Sequence, residues 1–412
     1  MDFISLGLSE PILKALSNKG YKTATPIQSK AIPVVLEGRD ILGSAQTGTG
    51  KTAAFALPII ERLLRKDHWD RHISTLILTP TRELAIQIDE NISYYAKNTQ
   101  LKNAVIFGGV KQQSQVQKIN KGIDILVATP GRLLDLINQG LLRIDKIETL
   151  VLDEADRMLD MGFIHDIKKI LKIVPQKRQT LFFSATMPPN IVKLTKEILY
   201  KPTRIEVAPT SSTAETIEQW IYYTNRTSKK DLLFHILSDQ SLDQVLVFSR
   251  TKHGADRIAR TLAKRRIATK AIHGNKTQNQ RQKALSEFKD NKIRVLVATD
   301  IAARGIDINE LHYVINYDIP NLPETYVHRI GRSGRAEKEG IAISICEPEE
   351  NSYVKAIEKL INKKIKEVQP NPFPQTEKPM TEAEKKEWNK EKQRRKQEFF
   401  KNRKKNNSRR YR

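Results

Sequence analysis

Thr149-Leu150-Val151-Leu152-Asp153-Glu154-Ala155-Asp156 is a short, mostly apolar run that ends in two adjacent carboxylates. An apolar run of this length reads as a strand buried in a parallel sheet. The acids emerge at its carboxyl end, where open α/β sheets hold their ligands. Paired carboxylates there suit a hydrated Mg²⁺ and an attacking water. An acidic turn after a strand also occurs without such chemistry, so the rest of the chain has to decide.

Working outward, further strands are expected at residues 40–44, 73–79, 104–107, 124–129 and 179–184, with helical patterns between them such as 83–88 and 165–173. That alternation predicts a mostly parallel sheet flanked by helices, over residues 1–208. Residues 209–216, polar and small with a proline, read as a linker. A second alternating run, 217–368, has strands expected at 244–248, 270–272, 293–299, 313–316 and 341–346. Ile125-Leu126-Val127-Ala128-Thr129 is echoed by Val295-Leu296-Val297-Ala298-Thr299. The echo favours two similar α/β domains, although buried strands often draw on the same few residues.

Residues 369–412 hold fifteen Lys/Arg and six Glu, with clustered prolines at their start. They are expected to form a basic, mostly disordered tail. The whole 412-residue chain carries a net charge of +24 at an isoelectric point near 9.8, which favours a polyanionic partner over a merely solvated surface. No apolar run approaches a membrane span and no leader is seen, so a cytoplasmic protein is expected. One cysteine, Cys346, leaves no intrachain disulfide and no cysteine-based zinc site; it reads as a small core residue of a strand.

Ser44-Ala45-Gln46-Thr47-Gly48-Thr49-Gly50-Lys51-Thr52 follows a predicted strand and opens a predicted helix. Small residues there let backbone N–H groups cradle phosphates, with Lys51 on the outer phosphates and the Thr52 hydroxyl on Mg²⁺. Ala45 stands where the strict phosphate-loop pattern has a glycine. Beside such a loop, Asp153 would hold Mg²⁺ mainly through water and Glu154 would polarise the attacking water. Pro58 is expected to kink the helix.

With these motifs in order, the chain resembles the DEAD-box ATP-dependent RNA helicases of superfamily 2 over residues 3 to about 346. The wording of the N-terminal half is most similar to the bacterial RhlE-type subgroup. The resemblance implies two tandem RecA-like domains, with ATP and Mg²⁺ as cofactors and RNA as partner. In its terms, Phe3 and Gly20-Tyr21-Lys22-Thr23-Ala24-Thr25-Pro26-Ile27-Gln28 match the adenine-reading motif, with Gln28 pairing the base and Phe3 stacking on it. Pro80-Thr81-Arg82-Glu83-Leu84-Ala85, Gly108-Gly109 and Thr129-Pro130-Gly131-Arg132 match motifs that hold RNA backbone. So, in the second domain, do Phe248-Ser249-Arg250-Thr251, His273-Gly274, Gln278, Arg281, Thr299, Arg304 and Gly305. Asp307 would face the ribose.

Ser184-Ala185-Thr186 and Asp156 would couple hydrolysis to strand separation, and His328 would link motifs. Met161-Gly162-Phe163 resembles the helix that bends RNA in the family, although Phe163 reads also as core. His328-Arg329-Ile330-Gly331-Arg332-Ser333-Gly334-Arg335 supplies Arg332 and Arg335 as arginine fingers on the γ-phosphate. The phosphate loop and acids belong to one domain and the fingers to the other, so ATP and RNA together are expected to close the site. Backbone contacts imply little sequence preference. Ribosomal precursors and RNA-decay machinery are both open as partners. An RNA clamp and a DNA helicase are the competing readings; intact Glu154 and both fingers argue against the first, and the adenine-reading motif and the Asp-Glu-Ala-Asp lettering against the second.

Overall fold

Seven strands make the first sheet: β1 (Ile41–Ser44), β2 (Thr75–Leu78), β3 (Asn103–Ile106), β4 (Ile125–Ala128), β5 (Thr149–Leu152), β6 (Gln179–Ser184) and β7 (Thr203–Glu206). The computed structural model describes residues 1–45, 48–66, 71–207, 217–303, 308, 311–333, 340–379 and, beyond these, 381, 384, 387, 390, 391 and 394. All pairings in this sheet are parallel, in the order β3-β4-β2-β5-β6-β1-β7. Alternate residues feed two cores. Ile77, Val127, Val151 and Phe183 pack under one layer of helices, which includes Pro26–Leu36, Lys51–Leu64 and Arg82–Tyr95. Leu76, Leu126, Leu150 and Phe182 pack under the other, with Pro130–Asn138 and Ile164–Ile173. Burial on both faces explains why these strands are continuous apolar runs. The helix Lys51–Leu64 runs unbroken through Pro58.

The second sheet holds β8 (Ile217–Tyr223), β9 (Val245–Phe248), β10 (Thr269–Ile272), β11 (Val295–Ala298), β12 (Tyr313–Asn316), β13 (Gly340–Cys346) and β14 (Lys366–Glu367). Its order is β10-β11-β9-β12-β13-β8-β14, again all parallel. Adding seven to each strand number of the first sheet reproduces this order, so the two sheets share one topology. The echoed sequences fall on β4 and β11, which are equivalent strands. The described residues divide into two compact units, the first mainly Met1–Ser212 and the second beginning at Thr213. The expected linker, 209–216, lies outside the described residues.

β7, β8 and β14 were not expected from the sequence. β7 is an edge strand with only Ile205 buried, and β14 is a two-residue edge strand that is exposed throughout. β8, next to that edge, alternates buried and open positions. None shows the apolar run that marks a central strand.

The tail does not begin at residue 369 as expected. Val368 N donates to Ile221 O at 2.9 Å, and Asn371 Nδ2 donates to Tyr223 O at 2.8 Å. Phe373 packs on the second unit's core with His235 edge-on at 6.4 Å. Asn225 Oδ1 accepts from Thr376 N at 2.9 Å and Glu377 N at 3.0 Å. Prolines pre-set the extended backbone, Phe373 supplies the apolar anchor, and asparagine amides take backbone groups that no strand pairs. Most of the charged stretch after residue 379 lies outside the described residues.

Candidate functional site

The carboxyl ends of β5, β6 and β1, three adjacent strands, carry Asp153-Glu154, Ser184-Ala185-Thr186 and the phosphate loop. The neighbouring half of the same edge, β3-β4-β2, carries Gly108-Gly109, Thr129-Pro130-Gly131-Arg132 and Pro80-Thr81-Arg82. One sheet edge therefore divides into an acidic, phosphate-loop half and an arginine-rich half.

In the first half Lys51 is buried, at 6 % exposure, and its Nζ donates to Ala45 O at 2.9 Å. Ala45 packs its methyl group into the core, which accounts for its place at the expected glycine. Gly48 and Gly50 take φ of 85° and 93°, open to glycine without strain. A side chain at Gly50 would also collide with the Gln28 amide. Gln28 braces this turn: its Nε2 donates to Gly50 O at 3.2 Å and its Oε1 accepts from Thr25 N at 2.9 Å. Both ends of the amide expected to read adenine are thus engaged with protein. Phe3, expected to stack on the base, is 3 % exposed in the core, with the Tyr21 ring stacked on it at 6.4 Å. Its apolar neighbours in Leu6 and Leu8 make it a core residue in this structure. Gln46 and Thr47 lie outside the described residues.

Asp153 and Glu154 are 2 % and 3 % exposed. Asp153 Oδ1 accepts from Glu154 N at 3.0 Å. Burial pushes the Asp153 carboxyl up to about 6, against the pull of Lys51 and with added push from Glu154. Glu154 takes the left-handed φ of 54°, a strained conformation for glutamate, and its Oε2 accepts from Arg157 Nη1 at 2.7 Å. Asp156 Oδ2 accepts from Ala185 N (3.1 Å), Thr186 N (2.9 Å) and Thr186 Oγ1 (2.9 Å), while Ser184 Oγ donates to Thr186 O at 2.7 Å. The acidic turn is thereby fastened to the Ser-Ala-Thr segment. Sequence reasoning missed Arg157, whose charge in Arg-Met-Leu-Asp reads as an ordinary exposed helix position.

The donor set fits a magnesium ion held sparingly. Asp153 is a buried carboxylate at this edge, Thr52 opens the helix after the phosphate loop, and no group of three or more His, Cys, Asp or Glu among the described residues could hold a metal. Magnesium bound to phosphates and water needs no such cage.

In the other half two arginines converge on one loop. The Arg82 guanidinium lies where a Cβ at Gly109 would stand, and Gly109 has φ of 81°. Arg132 Nη2 donates to Val110 O at 3.2 Å, and its Nε lies 3.4 Å from Asp135 Oδ2. Thr81 caps its helix by accepting from Leu84 N, and Thr129 precedes the helix Pro130–Asn138, which opens with Pro130 and Gly131. Phe163 packs partly buried against the core, after Gly162 at φ 82°.

In the second unit, Arg250 and Thr251 follow β9, and Thr251 Oγ1 accepts from Gly254 N at 3.0 Å. This repeats the Thr81 cap after the equivalent strand, β2. His273, expected to meet RNA, is 1 % exposed, with Nε2 3.0 Å from Asp256 Oδ1 and Nδ1 accepting from Asn275 N. Its ring lies inside the fold, and the exposed Gly274 is left at the surface. Thr299 follows β11 and is 8 % exposed. Arg304, Gly305, Asp307 and Arg335 lie outside the described residues.

The helix Pro323–Ile330 carries exposed His328 and ends at Gly331. Arg332 is 5 % exposed, and its carbonyl accepts from Leu311 N. Arg329, given no role from sequence, is 2 % exposed. It pairs doubly with Asp300 (2.6 and 2.8 Å) and donates to Asn316 Oδ1 and Asp318 O. It ties together the ends of β11 and β12.

A family model described as "DEAD/DEAH box helicase" matches residues 25–194, and one described as "Helicase conserved C-terminal domain" matches 228–337. A protein of Listeria monocytogenes named "ATP-dependent RNA helicase CshA" is 46% identical over 367 residues, 89% of this chain and 70% of that one. A "DEAD-box ATP-dependent RNA helicase CshA" of Geobacillus kaustophilus is 42% identical over 89% of this chain and 78% of its own. Among solved structures, yeast Dbp5 bound to RNA and ADP BeF3 aligns with a TM-score of 0.77 at 30% identity. It covers 89% of this chain and 95% of its own. A DEAD box protein from Methanococcus jannaschii aligns with a TM-score of 0.51 at 42% identity, covering 90% and 99%.

Proposed function

The chain belongs to the DEAD-box ATP-dependent RNA helicases, and from that premise we propose how its own residues divide the work. The two sheets carry the RecA-like architecture, and the protein is an RNA-dependent ATPase and helicase. The observation that carries the residue-level reading is the split edge of the first sheet, with the phosphate loop and acids on one half and arginine-braced loops on the other.

In this reading Lys51 leaves the Ala45 carbonyl for the outer phosphates of ATP, while Gly48, Thr49 and Gly50 lend backbone N–H groups. Asp153 and Thr52 would hold Mg²⁺, which neutralises phosphate charge when bound. Glu154 orients the attacking water and accepts its proton. Asp156, Ser184 and Thr186 pass a shift of one motif to the other through the hydrogen bonds described. Arg332 and Arg335 supply positive charge to the γ-phosphate. Thr81, Arg82, Gly109, Thr129, Gly131, Arg132, Arg250, Thr251, Gly274 and Thr299 hold RNA backbone, which gives local strand separation with little sequence preference. Structured RNA, in ribosomal precursors or decay complexes, is the proposed substrate.

The relatives described above are named CshA, so the RhlE-type subgroup expected from the N-terminal half has no support and is not proposed. Among the described residues no helix is long and apolar enough to cross a membrane. The reading assigns the activity to the cytoplasm.

The test is ATP-dependent release of a short RNA duplex, with ATPase stimulation compared between RNA and DNA of equal length. RNA is expected to stimulate turnover about tenfold more than DNA, the worth of roughly one hydrogen bond to a 2′-hydroxyl. Equal stimulation would defeat the RNA reading.

We assign the basic tail, beyond the docked segment, to unspecific RNA tethering. Deleting residues 380–412 removes the charged stretch and leaves the Phe373 anchor in place. RNA affinity at low salt is expected to fall on the order of tenfold and its salt dependence to flatten, with RNA-saturated turnover kept. Unchanged affinity and slope would leave the tail without this role.

A further inference from the structure

The two sheets share one topology, so each position of the nucleotide site has a counterpart in the second unit. The helix Lys51–Leu64 follows β1, and its counterpart, Lys229–Ser238, follows β8. Both begin with lysine. Glu154 stands two residues beyond the end of β5, and Asp318 stands two residues beyond the end of β12. The second unit thus carries a lysine and an acid where the first carries Lys51 and Glu154.

Lys229 is committed inside the fold. It is 2 % exposed, and its Nζ donates to Glu350 Oε2 at 2.9 Å, with Asp318 Oδ1 at 3.7 Å and Glu347 Oε2 at 3.9 Å. Its Nζ also lies 5.2 Å from the centre of the Tyr317 ring. Glu350 is 1 % exposed. Both of its oxygens are fully used: Oε2 also accepts from Glu347 N at 3.2 Å, while Oε1 accepts from Ile319 N at 3.1 Å and from Arg250 Nη2. A carboxylate held at every position cannot turn, so the group it holds is fixed too.

That group is Arg250. Its backbone N donates to Asp318 Oδ2 at 2.8 Å, and its Nη2 donates to Ile319 O at 2.8 Å as well as to Glu350. Its guanidinium also lies 5.9 Å from the Tyr353 ring. The side chain is 39 % exposed. One nitrogen is anchored, and Nε and Nη1 keep N–H groups for an outside acceptor.

We propose that the buried Lys229–Glu350 pair is a positioning device that presents Arg250 to an RNA phosphate. It rests on the reading that Arg250 contacts RNA. Burying two charges costs desolvation that apolar residues of the same size would avoid, so stability alone does not call for the pair. An arginine fixed in advance loses little side-chain freedom on meeting a phosphate, and the gain appears as affinity. Lys229 and Glu350 need touch neither RNA nor ATP to do this.

The experiment measures binding of a labelled single-stranded RNA to the full chain at several salt concentrations, together with RNA-stimulated ATPase. Arg250→Ala is expected to weaken binding about tenfold or more, as loss of a charge-assisted hydrogen bond does, and to lower the log–log salt slope by about one. Glu350→Gln is expected to weaken binding at least about fivefold, raising the RNA KM while kcat at saturating RNA is retained. Combined with Arg250→Ala, it should add no more than about twofold, because it acts through that residue.

Losses that multiply in the combined variant would reduce the pair to a structural role and overturn the proposal. Wild-type binding by Arg250→Ala would instead remove the RNA reading of Arg250, and the proposal with it. Thermal unfolding accompanies each variant. Should Glu350→Gln melt early, Lys229→Met with Glu350→Gln removes both charges and leaves neither orphaned. That variant must then show the same loss, and wild-type affinity in it overturns the proposal.

Discussion

Glu154→Gln should bind ATP and RNA as the wild type does and turn over ~10²–10⁴-fold more slowly at saturating RNA, the range that a positioned general base contributes. The amide keeps the side chain's shape and an acceptor for Arg157, but it cannot take a proton. Lys51, Gly50 and Thr52, which the reading assigns to phosphate and magnesium, are untouched. Steady-state ATPase with saturating RNA, beside equilibrium binding of a fluorescent ATP analogue, separates chemistry from binding. Normal turnover in the variant would strip Glu154 of its role. Arg157 loses a buried counter-charge at 2.7 Å, so the variant should also melt somewhat earlier, and assays belong well below its midpoint.

Arg332→Lys is expected to cost on the order of 10³-fold in kcat, as arginine fingers do, with RNA and ATP affinity little changed. Lysine keeps the charge but loses the planar fork that meets several phosphate oxygens at once. The backbone here is well held: Ser333 Oγ lies 2.9 Å from both Leu311 O and His312 O, which share its single proton. A loss in turnover therefore reports on the side chain and not on a loosened loop. RNA-saturated turnover within about tenfold of wild type would remove Arg332 from the finger role assigned to it.

Much of this architecture was legible because central parallel strands announce themselves. Leu76-Ile77-Leu78 or Val295-Leu296-Val297 can only be buried on both faces. The phosphate loop and acidic turn were legible because their residues are contiguous. What stayed hidden depended on partners distant in sequence. Lys229 and Glu350 are 121 residues apart, and Glu350 in Pro-Glu-Glu-Asn reads as a solvated acidic turn until the fold buries it. Arg329 and Asp300 sit in motifs that were noticed, yet nothing local distinguishes the arginine that ties two strand ends together from its neighbour Arg332. Phe3 and His273 are a different case. Their motifs suggested ligands, while packing on Tyr21 and pairing with Asp256 place both inside. The segment from 369 looked unstructured because its prolines show no periodicity, and its hold on the fold comes from the Asn371 and Asn225 amides and the Phe373 ring, which no local pattern marks.

The repeated topology also divides the molecule by what each lysine answers to. The anion proposed for Lys51 is a solute, so the order around it carries a mass-action contribution that grows with the logarithm of ATP concentration. The anion at Lys229 is Glu350, a part of the same chain, present at an effective concentration that no cell can dilute. One half of a common frame is thus left open to titration by a nucleotide, while the corresponding half was saturated when the polypeptide was made.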